Sequence, residues 1–258
     1  MIRRVEICLQ AAGQERIYPN LAYALYGELC SRMKPDLADM LHLCEITPLR
    51  QHLRKGEVPG QYVWVLDLFD RAASLTSLLE SLSVIHLDCC TAPLQVVECR
   101  ISQPISAMDL LRSSQEQPIS ALCRITFQTP CTFKAAGHYV LFPSERLIAQ
   151  SLFQRWNGLM TESVMQDDEA LQILTAGLTI SRYRLHSQDY RIKGQRITSF
   201  VGHIDIYARL SAPMQELWRL LLAFAPYGGI GIKTALGMGA VVTEPVFPKI
   251  RNNPLSEF

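Results

Sequence analysis

Tyr227-Gly228-Gly229-Ile230-Gly231-Ile232-Lys233-Thr234-Ala235-Leu236-Gly237-Met238-Gly239 holds five of the 14 glycines in this 258-residue chain. Glycine accepts positive φ and lets the backbone approach a neighbour with no Cβ in between, so such a concentration marks a loop shaped around something. The flanking elements decide which kind of loop it is. A phosphate-binding P-loop or a dinucleotide-binding turn runs strand, glycines, helix, because the helix N-terminus supplies free N–H groups and the positive dipole end. Here the order is reversed. Pro213 to Phe224 reads as a helix, with proline in its first turn and Leu217, Leu220, Leu221 and Phe224 at helical spacing. Ala240-Val241-Val242, after the glycines, reads as a strand. Lys233-Thr234 imitates the end of a Walker motif, but Ile232 precedes the lysine and the glycine spacing is missing. Both nucleotide-binding readings are disfavoured.

Working outward, residues from Ala121 read as one unit that ends in this helix, loop and strand. Cys123 to Phe127 is a strand, Ser144 caps a helix to Trp156, and Ala170 to Leu174 lies in a helix. Long strands run from Leu178 to Leu185 and from Tyr190 to Leu210. Before it, the chain reads strand (Val5 to Leu9), helix (Leu21 to Met33), short helix (Asp36 to Leu43), strand (Ile46 to Leu53), strand (Tyr62 to Phe69), helix (Ala72 to Leu82) and strands (Val84 to Leu87, Leu94 to Ile101). Both orders approximate βαββαβ, an antiparallel sheet with helices on one face. Ser113-Ser114-Gln115-Glu116-Gln117-Pro118 is polar, ends in proline and reads as the linker. The halves share no visible sequence similarity, so the tandem arrangement rests on element order.

A hydrophobic fraction of 48% with 19% charged residues is that of a folded globular chain. Met1 to Leu9 alternates like a strand and has no long apolar run, which argues against a secretory signal; no stretch is apolar for long enough to span a bilayer, and a cytoplasmic protein is expected. The eight cysteines contain no C-x-x-C pair, so reduced core thiols are expected and a structural zinc is not. A formal net charge of +1 excludes bulk polyanion binding as the whole function. The positive charge is clustered, however. Arg182, Arg184, Arg191, Lys193 and Arg196 stand against Asp189 alone and alternate with Tyr183 and Tyr190; Arg50, Arg54 and Lys55 form a second group, and Lys233, Lys249 and Arg251 a third.

Gly229-x-Gly231, five residues, Gly237-x-Gly239 resembles the C-terminal glycine-rich loop of the CRISPR-associated RAMP superfamily, and in particular its repeat-processing endoribonuclease family. Phe127-Gln128-Thr129-Pro130-Cys131-Thr132-Phe133-Lys134, Leu141-Phe142-Pro143-Ser144 and Leu152-Phe153-Gln154-Arg155-Trp156-Asn157 are similar to that family's strand, "TP-x-x-F" turn and helix ending in "RWN". Leu178 to Tyr183, Lys193-Gly194 and Phe200-Val201-Gly202 resemble its central hairpin. The likeness covers the C-terminal half well and the N-terminal third more loosely. It implies an α+β fold of two tandem ferredoxin-like (RRM-like) domains, residues 1–115 carrying the catalytic groups and 119–258 the glycine-rich loop. It also implies a metal-independent endoribonuclease, without a cofactor, that cuts CRISPR precursor RNA within its repeats by 2′-hydroxyl attack, leaving a 2′,3′-cyclic phosphate and a 5′-hydroxyl. The implied partner is CRISPR repeat RNA; other CRISPR effector subunits and a second copy of the chain are further candidates, and a membrane is not. The rival reading is a non-catalytic RAMP subunit that binds guide or repeat RNA in an effector complex.

Such chemistry calls for a base at the 2′-hydroxyl, an acid at the 5′-oxygen, and cationic or N–H donors for the developing phosphorane charge. Histidine suits the proton roles. Of His42, His52, His86, His138, His186 and His203, the first is the leading candidate, because Lys34-Pro35-Asp36-Leu37-Ala38-Asp39-Met40-Leu41-His42 resembles the family's "P-x-L-A-x-x-L-H" stretch. Leu37 and Leu41 mark the buried stripe of that helix and leave His42 off it, at a C-terminal end that favours a protonated ring. Tyr26, on the preceding helix, stands where relatives carry an assisting tyrosine or a second histidine. Arg50, Arg54 or Lys55 would supply the cation, with Arg50 an electrostatic stabiliser only. His52, on the same strand face as Arg50, is the rival histidine. By resemblance the loop itself, through Gly229, Gly231, Gly237, Gly239 and Lys233, would hold RNA phosphates, His186 would be a further phosphate contact, and Tyr183 and Tyr190 would stack on bases.

Overall fold

A computed structural model describes residues 1–11, 20–165 and 168–247. Lys249 and Arg251 of the third basic group lie outside the described residues. The first half contains β1 (Ile2–Gln10), α1 (Leu21–Arg32), α2 (Pro35–Leu43), β2 (Leu49–Lys55), β3 (Gln61–Phe69), α3 (Leu75–Glu80), β4 (Val84–Ile85), β5 (Leu94–Ile101) and α4 (Ala107–Glu116). Its antiparallel sheet runs β2-β3-β1-β5-β4. Alternation in β1 turns Val5, Ile7 and Leu9 inward, where Ala22, Leu25 and Leu29 of α1 cover them at helical spacing. Pro35 opens α2 in its first turn, where its missing N–H costs nothing.

The second half contains β6 (Leu122–Cys131), β7 (Phe133–Ala135), β8 (His138–Val140), α5 (Glu145–Leu159), α6 (Asp168–Gly177), β9 (Leu178–Ile192), β10 (Gln195–Ala208), α7 (Ala212–Gly228) and β11 (Val241–Pro245). Its main sheet runs β11-β6-β10-β9, all antiparallel, and β7 with β8 forms a separate small hairpin. With β4 set aside, both main sheets have the central-pair order of a ferredoxin-like fold. Ser144 caps α5 as its sequence position predicts, its hydroxyl oxygen accepting from the Leu147 N–H at 3.3 Å.

Three elements differ from the sequence reading. β2 begins at Leu49 rather than Ile46, because Pro48 has no N–H for a ladder bond; residues 44–48 instead form a loop beside α2. The expected break between Leu185 and Tyr190 does not exist: pairing continues from His186 opposite Val201 to Tyr190 opposite Ile197, and the chain reverses at Lys193-Gly194. The supposed linker Ser113 to Pro118 is mostly the end of α4. A reciprocal cap starts that helix, with the Asp109 N–H donating to Ser106 Oγ at 3.1 Å and the Ser106 N–H to the Asp109 carboxylate at 2.9 Å. Arg219 of α7 ends it by donating to the carbonyls of Ser114, Gln115 and Gln117.

The two halves share packing. Phe69 of β3 meets Phe224 of α7 edge-on at 6.2 Å between centroids, and Phe224 meets Trp156 of α5 at 5.2 Å. Between the halves, directly after α7, runs the glycine-rich loop.

Candidate active site

The loop follows a path open mainly to glycine. Gly229, Gly231, Gly237 and Gly239 all have positive φ, as does Lys233 at 57°. Its donors are largely taken up inside the protein: the N–H of Ile230 donates to Gly239 O at 2.9 Å, that of Ile232 to Thr132 O at 3.1 Å, that of Gly239 to Pro130 O at 2.9 Å, and that of Gly231 to Ser151 Oγ at 2.8 Å. On the other side Gln51 Nε2 donates to Ala235 O at 3.0 Å and Ala22 O at 2.8 Å, and the Tyr190 hydroxyl to Leu236 O at 2.6 Å. A Cβ on Gly237 would stand 2.6 Å from both Ala22 Cβ and the Tyr190 oxygen, and one on Gly239 would run into the Ile230 carbonyl oxygen. Gly229, Gly237 and Gly239 are buried. This corrects their expected role: they allow the two halves to close on the loop and do not present themselves to RNA. Tyr190, 1% exposed, is likewise a packing residue and not a base platform.

The stretch Lys233–Leu236 remains open on one side, where it lines a cleft of about 290 Å³. Tyr26 of α1, Leu41 and His42 of α2, Glu45, Ile46 and Thr47 of the loop before β2 and Arg155 of α5 complete its wall. All six histidines lie among the described residues, and His42 alone lines this cleft. It sits exposed in the last turn of α2, off the stripe on which Leu41 is buried. Tyr26 is 9% exposed; burial, and then its neighbour Cys30, raise its phenol above the usual range. The structure thus brings together His42, Tyr26 and Lys233, from three separate elements.

The other cation and histidine candidates are elsewhere. Arg50 is fully buried; its Nη1 donates to Asp67 Oδ2 at 2.7 Å and to Pro226 O at 2.8 Å. It is therefore an interior tie, which corrects its expected place at the phosphate. Arg54 lies 3.5 Å from Glu6 in a groove shared with Glu57, Glu98 and Arg100, away from the cleft. Lys55, exposed at the end of β2, does not line the cleft. His52 is 4% exposed with an unpartnered Nδ1, and burial, then Arg50, Arg4 and Arg54, hold its pKa well below 6.5. A substrate cannot reach it, so the rival assignment fails.

His52 has a consequence for stability instead. Its folded pKa is depressed, so below pH 6.5 the unfolded chain takes up a proton that the folded chain refuses. That lowers stability by about 1–2 kcal/mol per pH unit until the depressed folded value is reached. Urea unfolding between pH 6.5 and 5 should show a shallower loss for His52→Phe than for the wild type; parallel profiles would contradict this.

The C-terminal end of α7 is held by three guanidinium groups. Arg4 Nη2 and Arg50 Nη1 both donate to Pro226 O, at 2.6 and 2.8 Å, and Arg155 Nε donates to Gly228 O. These carbonyls have lost their helical partners and carry the negative end of the helix dipole. Asp67, fully buried, neutralises Arg4 and Arg50, at 2.7 Å from each. Arg155 has no acidic partner among the described residues. Its Nη2 makes no hydrogen bond, and burial, with Arg50 nearby, lowers its pKa to about 9. Sequence reasoning passed over it as part of a motif. The available signal was its phase: Leu152, Arg155, Trp156 and Leu159 share the buried stripe of α5, where an arginine is anomalous.

Two basic surfaces flank the cleft. On the β9–β10 hairpin Arg182, Arg184, His186, Arg191, Lys193 and Arg196 are exposed; Arg196 lies 3.5 Å from Asp189, and Arg182 stands across the strands from Asp205. The hairpin's far end packs Tyr190, Ile192 and Ile197 on Met238 of the glycine loop, which sets its basic tip beside the cleft. Tyr183, 62% exposed, meets Phe142, 57% exposed, edge-on at 5.5 Å. On the loop's other side, Gly231 and Ile232 border a groove of about 550 Å³ with Lys134 and Arg146, two cations the sequence reading did not single out.

Among the described residues no group of three or more His, Cys, Asp or Glu converges as a metal site, and no helix is long and apolar enough to cross a membrane. Cys8, Cys30, Cys44, Cys89, Cys99, Cys123 and Cys131 are free thiols. Cys123 and Cys131 are buried, the former pushed up to about 12 by burial, whereas Cys89 is exposed and Cys8, Cys30, Cys44, Cys90 and Cys99 are half-buried; the expectation of mostly core thiols holds for two.

Two ferredoxin-like units closed around a glycine-rich loop make up the fold. Residues 125–241 match the family described as CRISPR-associated endoribonuclease Cas6. A CRISPR-associated endoribonuclease Cas6 of Streptococcus thermophilus is 31% identical over 225 residues, covering 87% of this chain and 92% of that one. The chain belongs to the Cas6 family. Solved structures agree in fold. A Cas6 product complex superposes with a TM-score of 0.74 at 23% identity over 95% of this chain and 100% of the other, and a Cas6-related protein from Pyrococcus furiosus with 0.58 at 13% over 95% and 99%.

Proposed function

We propose that this protein is a metal-independent endoribonuclease that cuts CRISPR precursor RNA within its repeats, by attack of the 2′-hydroxyl on the adjacent phosphorus. The observation that carries the reading is the convergence of His42, Tyr26 and Lys233 on one cleft between basic surfaces. Protonated His42 donates to the departing 5′-oxygen as the P–O5′ bond breaks, while the new 2′-O–P bond gives the cyclic phosphate and the 2′-hydroxyl proton passes to solvent water. Tyr26, whose phenol burial holds in the neutral form, donates a hydrogen bond that orients the substrate and does not act as the base. Lys233, on the αL corner of the loop, takes the role first assigned to Arg50, Arg54 or Lys55 and offsets phosphorane charge.

RNA would run from the groove of Lys134 and Arg146, across the loop, to the cleft and the hairpin cations. Tyr183 and Phe142 offer an exposed platform for one base on that route. Tyr183→Ala should weaken repeat RNA binding about tenfold, in keeping with the 1–3 kcal/mol typical of a stacked base, with unchanged unfolding; unaltered affinity in a titration at fixed salt would remove this contact. The enzyme reading is tested by incubating the protein with its own repeat RNA in EDTA. Site-specific cutting supports it, whereas tight binding without cutting would make the chain a guide-holding RAMP subunit.

A further inference from the structure

We infer that Arg155 is a further catalytic residue, whose guanidinium binds the scissile phosphate in the His42 cleft and stabilises the charge that develops there. The inference rests on the endoribonuclease reading and adds a group to it. Arg155 is 8% exposed and lines the same cleft as His42, Tyr26 and Lys233. One of its donors, Nε, is fixed by the Gly228 carbonyl, which locks the plane of the guanidinium, while Nη2 has no partner. A desolvated cation with neither a carboxylate nor a full set of acceptors is costly to keep. Its surroundings add to that cost, because beneath the loop Arg4, Arg50 and Arg155 face Asp67 as the single carboxylate among their described hydrogen-bond partners. Glu45, exposed, also lines the cleft but makes no described ion pair with Arg155, which is left without an anion of its own.

A phosphate in the cleft would supply one. A non-bridging oxygen accepts from the guanidinium, and a donor already held in place stabilises transition-state charge without reorganising. Cap and catalyst are compatible roles here, since the helix end uses Nε and Nη2 is buried, which leaves Nη1 to meet the phosphate. The division of labour is then Lys233 and Arg155 on the phosphate, His42 on the leaving oxygen and Tyr26 beside the nucleophile. As an arginine, Arg155 stays charged at working pH and moves no proton.

The test is single-turnover cleavage of the repeat RNA at saturating protein by wild type, R155K and R155M. Binding of the same RNA with a 2′-deoxy sugar at the cut, and thermal unfolding, are measured on all three. The rate of R155M should fall about 100-fold, as for loss of one oxyanion donor, and that of R155K about tenfold. Dissociation constants should stay within about threefold, and R155M should melt no lower than wild type, because an uncompensated buried charge has been replaced by an apolar chain of similar length. Cutting by R155M within about threefold of wild type would overturn the inference. So would a loss of rate that tracks a loss of melting temperature in both variants, the signature of a helix cap alone. If the wild type binds repeat RNA without cutting, the endoribonuclease reading is what falls. The anion site is then decided by melting in inorganic phosphate: stabilisation of wild type but not of R155M supports it, and equal shifts in both overturn it.

Discussion

His42→Ala should cut repeat RNA about 1,000-fold more slowly than wild type while binding it with nearly the same affinity, a loss within the range of a positioned general acid. The split between rate and affinity follows from where the side chain sits. His42 is exposed in the last turn of α2, so its removal leaves neither a cavity nor an unpaired buried group. The cationic surfaces that would hold RNA, on the β9–β10 hairpin and around Lys134 and Arg146, belong to other elements and stay intact. The check is single-turnover kinetics beside a filter-binding titration with uncleavable 2′-deoxy RNA. A variant that cuts at the wild-type rate would take His42 out of the chemistry. With His52 buried, the proton donor would then have to be sought outside the histidines of the cleft.

The second large effect is on stability. Asp67→Ala should destabilise the protein by about 3–5 kcal/mol, the cost of breaking a buried ion pair from one side. Asp67 is 0% exposed and pairs with both Arg4 and Arg50, and Arg50 is itself fully buried beneath the end of α7. Without the carboxylate, two guanidinium groups and nearby Arg155 face one another with only helix-end carbonyls as acceptors. For a chain of this size the melting temperature should drop by about 10 °C. The double variant Arg50→Met, Asp67→Leu should recover most of it, since apolar pairs of similar volume replace buried ion pairs at little cost. Thermal unfolding of both variants decides the matter: a single variant within about 1 kcal/mol of wild type would mean that the pair is solvated in solution. Because the tie joins β1, β2 and β3 of one half to α7 of the other, its loss should also slow cleavage by loosening the cleft.

Much of this fold was legible in the chain. The reversed order around the glycines, helix first and strand after, ruled out a nucleotide-binding turn and matched the last elements of a ferredoxin-like unit. Strand alternation in β1, the apolar run of β3 and helical spacing in α1 placed the first sheet and its cover. The failures have local causes. The α4 helix was hidden because its last turn is polar, and its reciprocal Ser106–Asp109 cap, with aspartate in place of the usual glutamate, was overlooked. The continuous β9–β10 hairpin was broken in the reading by polar residues that face solvent on an edge strand.

Within the site, His42 was reached through the resemblance of Lys34 to His42 to the family's stretch, with Leu37 and Leu41 marking the buried stripe that it leaves. Which cation accompanies it could not be reached in this way, because that depends on tertiary approach. Arg50 is two residues from His52 on β2, yet its strand face turns toward Asp67 and the end of α7; Lys233, nearly two hundred residues from His42, arrives in the cleft through an αL turn. The glycines carried the opposite lesson. Their clustering correctly marked a special loop, but Gly229, Gly237 and Gly239 are small so that protein can close upon protein, and the stretches left open are Gly231-Ile232 on one groove and Lys233 to Leu236 on the cleft.

The most direct measurement is the identity of the cut ends. Repeat RNA, and the same RNA with a single 2′-deoxy sugar at the cut, are incubated with the wild-type protein in EDTA and the fragments resolved on a denaturing gel after treatment with and without phosphatase and acid. The expected result is cutting of the all-ribose RNA alone, with a 5′ fragment whose end resists phosphatase until acid opens the 2′,3′-cyclic phosphate, and a 3′ fragment bearing a 5′-hydroxyl. Equal cutting of the 2′-deoxy RNA, or fragments bearing a 5′-phosphate, would contradict 2′-hydroxyl attack and with it the roles given to His42, Tyr26 and Lys233.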